Sequence, residues 1–108
     1  MSNQQLNYEA VRKVRRERMR WFVLRALDVA RPQGLDQQPL LDVIQTVYAD
    51  ATAQELKREL EYLATRELVE AKTDPLGHTY AKLLRYGVDI VEYTVDCEPG
   101  IARPAFGA

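Results

Sequence analysis

The residues best suited to chemistry are cations. The run RKVRRERMR places Arg12, Arg15, Arg16 and Arg20 within nine residues. A guanidinium is a planar fork of donors that matches phosphate oxygens, so such a run fits a polyanion. On a helix these four spread over more than one side, which also describes an ordinary solvated rod. Gln54 and Arg58 stand four apart on a later leucine-spaced stretch, and their side chains suit the edges of adenine and guanine in a major groove. Lys72, His78 and Lys82 flank the corner Asp74-Pro75-Leu76-Gly77, where they would meet a phosphate backbone. Exposed hairpin lysines also serve simply to discourage edge pairing. Lys57 and Tyr62 complete the set of phosphate candidates.

Catalytic chemistry finds little support. The chain has one His and one Cys, no Gly-rich phosphate loop, and no Ser-His-acid set at a suggestive spacing. Cys97 lies beside Glu98 without a neighbouring base, which describes an inert thiol. Glu55 and Glu59 sit at helical spacing around Lys57 and Arg58, the pattern of a solvated face. The expectation is a non-enzyme without metal or cofactor.

These groups need elements to position them. The 108 residues, 46% hydrophobic and 29% charged, suit one soluble domain with a modest core. No run of eighteen apolar residues occurs, and MSNQQLNYEA lacks the apolar stretch of a secretion signal. A cytoplasmic protein that avoids membranes is expected, and a lone cysteine agrees with a reducing compartment. The net charge of −1 hides an asymmetry, because residues 1–31 hold eight Lys or Arg against three acids, leaving seven against thirteen elsewhere. A polyanion would be drawn to the first segment.

Residues 8 to about 31 contain neither Gly nor Pro and are followed by Pro32 and Gly34, which predicts one long helix or two abutting ones. Val23, Leu24, Leu27 and Ala30 share one face; Val11, Val14, Phe22, Ala26 and Val29 line another, with Trp21 beside it. One core can occupy only one face, so the second set predicts a seam with another copy of the chain. Of the adjacent aromatics Trp21 and Phe22, one is expected in the core and the other at the seam. RPQGLDQQP reads as a loop, Pro39 as the first turn of a short helix carrying Leu40, Leu41 and Ile44, with Val47 or Tyr48 also available to the core. Thr52 and Glu55 fit a capping box that opens a third helix. Its buried stripe is expected to be Leu56, Leu60 and Leu63 with Ala53 and Ala64, opposite Gln54, Arg58, Glu61, Tyr62 and Thr65. Two strands follow, 68–73 and 78–84, with Val69, Ala71, Ala81 and Leu83 inward and Glu70, Lys72, Tyr80 and Lys82 outward. A last helix over 85–93 precedes the tail TVDCEPGIARPAFGA.

The stretch LKRELEYLATRELVEAKTDPLGHTYAKLLRYGVDIVEY resembles the winged helix-turn-helix families of the MarR, ArsR and PadR regulators. Leu83 and Gly87 match the Leu and Gly of their LTxxG motif. RWFVLRALDVARP and GVDIVEYTVDCEPGIARP look like small winged-helix proteins of Mu-like bacteriophages and prophages. Two positions depart from the pattern. Glu67 stands where those families have a helix-ending Gly, and Leu84 replaces the hydroxyl residue that caps the closing helix.

The resemblance implies a mainly α fold with a small β-hairpin, a winged helix-turn-helix behind a long amino-terminal helix. Residues 1–31 would be the basic helix supplying core packing and the seam, 32–93 the winged helix-turn-helix, and 94–108 a tail, within a single domain. The implied function is a homodimeric regulator of a phage or prophage, with double-stranded DNA as partner and base contacts from Gln54 and Arg58. One feature argues against it: Glu55, Glu59, Glu61 and Glu67 outnumber Lys57, Arg58 and Arg66 along the third helix. The alternative expectation is a winged-helix adaptor that contacts another phage or host protein in replication, packaging or assembly, with its acidic helix against a basic partner.

Overall fold

The computed structural model describes the backbone of residues 2–106 and the side chains of residues 7–106. Helix α1 spans Ser2–Val29, uninterrupted because nothing within it breaks a helix. Met19, Val23, Leu24 and Leu27 are fully buried on its core face, and Ala30, past its end, is half-buried. Residues 7–14 are all exposed, so this part of α1 stands off the core as a rod.

Strand β1, Leu35–Asp36, lies inside the stretch expected to be a loop. It pairs antiparallel with β3 through Leu35 opposite Ala81 and Asp36 opposite Tyr80. Two residues are too few to show an alternating pattern, so the strand exists only because β3 lies alongside. Gly34 permits the approach: a Cβ there would collide with the Ala81 carbonyl. The Gly34 N–H donates to the Tyr80 hydroxyl at 2.6 Å. Helix α2, Gln37–Gln45, buries Leu40, Leu41 and Ile44, leaves Val47 exposed beyond its end, and half-buries Tyr48.

Helix α3, Ala53–Thr65, starts where the Thr52 hydroxyl accepts from the Glu55 N–H at 3.1 Å. Only this half of the capping box forms, because the Glu55 carboxylate is bound elsewhere. The buried stripe is Leu56, Glu59, Leu60 and Leu63; Ala53 is exposed, contrary to expectation, because it lies in the first turn ahead of the core. The helix closes with Glu67 at φ 64°, its N–H on the Ala64 carbonyl and the Leu68 N–H on that of Leu63. This is the left-handed cap that glycine favours, adopted here by glutamate. Leu63 and Leu68, the two positions whose apolar contact accompanies such a cap, are both fully buried.

Strands β2, Val69–Thr73, and β3, Thr79–Leu83, pair antiparallel, giving a three-stranded sheet in the order β1-β3-β2. Val69, Ala81 and Leu83 face inward as expected, but Ala71 is exposed. It lies on an edge strand with a neighbour on one side only, whereas Ala81, directly opposite, is covered by β1 as well. At the corner, Asp74 Oδ1 accepts from the N–H groups of Leu76 and His78, each at 2.9 Å, and Gly77 takes φ 86°. Helix α4, Arg85–Val91, ends two residues earlier than expected at a second left-handed cap, Tyr93 at φ 61°. The tail then returns across α1: the Ala102 N–H donates to the Glu17 carbonyl, and Ile101 is buried. Trp21 joins the core and meets Tyr93 edge-on at 6.2 Å, while half-buried Phe22 turns to Tyr48 at 6.5 Å. No helix of the described residues is long and apolar enough to cross a membrane.

Candidate nucleic-acid interface

The four arginines of the first helix divide into two kinds. Arg15 reaches α3 with two near-parallel bonds to Glu55, Nε to Oε2 at 2.8 Å and Nη2 to Oε1 at 2.9 Å. Its Nη1 takes Asp50 at 2.9 Å. The Glu55 contact holds the Arg15 guanidinium proton more tightly than usual, and the Arg15 bond draws the Asp50 carboxyl below its ordinary range. Arg20 is buried: Nε donates to Glu59 at 2.7 Å and Nη1 to the Gly100 carbonyl at 2.9 Å, while its guanidinium stacks 3.5 Å from the Tyr62 ring centre. Arg20 therefore leaves the set of phosphate candidates, because no backbone can reach it. Arg15 is held by two carboxylates, which leaves it a support for α3 rather than a free grip.

Tyr62 also leaves the set. Its ring is sandwiched between Arg20 and Arg66, the latter at 3.7 Å, and its hydroxyl lies so close to Gly100 that a Cβ there would strike it. The C-terminal tail covers this end of α3.

These ties change the electrostatics of α3. By sequence the helix carries Glu55, Glu59 and Glu61 against Lys57 and Arg58. Glu55 is neutralised by Arg15, and Glu59, 2% exposed, is matched by Arg20 inside the protein. The outward charges are then Lys57 and Arg58 against Glu61, and Gln54, Lys57 and Arg58 are all exposed. Sequence reading missed Glu59 as a buried group. Its signal was available: Glu59 lies three after Leu56 and four before Leu63, within the leucine stripe, so it requires an internal cation.

Arg58 is brought together with Arg12 and Arg16 in an open cleft of about 550 Å³ between α1 and α3. Gln54 is not part of its lining. None of these three arginines has a carboxylate partner among the described residues. On the hairpin, Lys72 and Lys82 are exposed on the outer face; Lys72 lies 3.5 Å from Glu70, and Lys82 faces Glu70 across the ladder. His78 turns back to Asp74 at 3.2 Å.

The second face of α1 is only partly covered by the described residues. Val11, Val14 and Val29 are 65%, 51% and 82% exposed, Phe22 and Ala26 are half-buried, and Val43 and Val47 extend the apolar surface from α2. Among the described residues no three His, Cys, Asp or Glu side chains cluster as a metal site. Burial pushes the half-buried Cys97 thiol up, against the direction of a reactive thiolate. No protein-family model matches the chain, and comparison with curated proteins finds no significant match.

Proposed function

We propose that the chain is a winged helix-turn-helix protein that binds duplex DNA as a homodimer and regulates transcription. In this reading α2 and α3 form the helix-turn-helix, α3 enters the major groove amino end first with Gln54 leading, and the β2–β3 hairpin is the wing. The observation that carries it is the neutralisation of Glu55 and Glu59 by Arg15 and Arg20. An acidic helix would be repelled by phosphate, whereas the outward set of Gln54, Lys57 and Arg58 against Glu61 is compatible with a groove. The same observation counts against the adaptor reading, since α3 no longer offers a basic partner the anionic face it would need.

Salt dependence tests the proposal. Binding to mixed-sequence duplex DNA should weaken with salt, each neutralised phosphate contributing about 0.9 to the log-log slope. Absence of binding at low salt would favour the adaptor instead.

A further inference from the structure

We propose that Arg12, Arg16 and Arg58 form a clamp for a backbone phosphate, so that Arg58 grips the DNA strand rather than reading a base. The inference rests on the DNA-binding reading and specifies which surface touches the polyanion.

Its first support is placement. Arg12 and Arg16 are one helical turn apart on the same side of α1, and Arg58 faces them from α3 across the cleft. Arg12 is oriented by Tyr8, whose hydroxyl accepts from Nη2 at 2.8 Å and whose ring lies 4.3 Å beneath the guanidinium. The second support is rigidity. The Arg15–Glu55 fork and the buried Arg20–Glu59 pair join α1 to α3 at two levels, so the walls are fixed before any anion arrives.

The third support is charge. Asp50, Glu55 and Glu59 also line the cleft and are all bound by Arg15 or Arg20, two cations for three carboxylates, so Arg12, Arg16 and Arg58 leave the whole set net positive. Three like charges that share a cleft without carboxylate partners repel one another, and an anion with several acceptor oxygens relieves that repulsion. A phosphodiester has that chemistry, as does free phosphate.

Fluorescence anisotropy on duplexes of several sequences, titrated with salt, provides the test. Arg16→Ala and Arg58→Ala should each lower the slope by about one and weaken all sequences equally, while Arg58→Lys keeps the slope. Two results overturn the clamp while DNA binding stands: both slopes unchanged, or Arg58→Ala altering sequence preference at constant slope. If the wild-type chain binds no DNA, that reading fails, and thermal melting in inorganic phosphate decides the clamp. A rise in Tm that Arg16→Ala and Arg58→Ala abolish would retain it as a free-phosphate site; no rise would end it.

Discussion

Arg15 and Glu55, forty residues apart in the chain, meet through two hydrogen bonds of 2.8 and 2.9 Å at the amino end of α3. The contact does more than join two helices, because it cancels a negative charge beside the surface assigned to DNA. Arg15→Gln should therefore weaken DNA binding although Arg15 itself is occupied by carboxylates. Glu55 and Asp50 would be released and the cluster left one unit more negative, which at ~8 Å in a water-like dielectric costs about 0.5 kcal/mol, or roughly twofold in affinity. The double variant Arg15→Gln/Glu55→Gln should recover most of that loss. Equal affinities for the single and double variants would show that Glu55 does not act on the ligand.

The Arg20–Glu59 pair governs stability rather than binding. Glu59→Ala leaves a buried guanidinium without its carboxylate and should lower the unfolding free energy by about 3–5 kcal/mol in denaturant titration. Replacing both partners with apolar residues, Arg20→Met/Glu59→Leu, should restore most of it. The penalty arises from the orphaned charge, not from loss of a favourable pair.

Glu67 holds a left-handed backbone that costs a side chain about 1 kcal/mol and costs glycine almost nothing. Glu67→Gly should stabilise the protein by about that amount, visible as a higher urea midpoint at unchanged m-value. A loss of stability would mean that the Glu67 side chain makes a contribution larger than the strain.

The corner of the hairpin should be sensitive to acid. The N–H of His78 above all, then the His78 side chain and the N–H of Leu76, hold the Asp74 carboxyl below its ordinary value of 3.8. A depressed carboxyl stabilises the folded state above its unfolded pKa, and the contribution is lost as pH falls through the folded value. Urea midpoints should thus stay level down to about pH 4 and fall below it, with a shallower fall in Asp74→Asn.

The apolar row along α1 predicts self-association. Light scattering at micromolar concentration should return about twice the 12.4 kDa chain mass. Val14→Glu, at a position 51% exposed in the single chain, should return the monomer mass without lowering Tm extrapolated to infinite dilution. A wild-type mass equal to one chain would remove the homodimer.

Much of the architecture was legible. The unbroken stretch before Pro32, the leucines at 56, 60 and 63, and the DPLG corner carry short-range signals: helix propensity, periodicity and turn chemistry. Strand β1 was not, because two residues carry no period and owe their conformation to β3. Ala53 and Ala71 were misplaced for a related reason: periodicity assigns a face but cannot say how far along a helix the core extends or which strand lies at the edge of the sheet. The site was only half legible, since Arg12, Arg15, Arg16 and Arg20 look alike in a string of letters.

The chain's own letters determined that there would be a basic helical rod, a short leucine-spaced helix and a cation-flanked hairpin, because propensity and alternation act between near neighbours. Tertiary structure alone decided which arginines remain free. Pairing with Glu55 and Glu59 depends on contacts between residues about forty positions apart, and Coulomb energy depends on distance in space and on burial. Those contacts turned α3 from a helix with surplus glutamate into one whose outward charges are mainly positive.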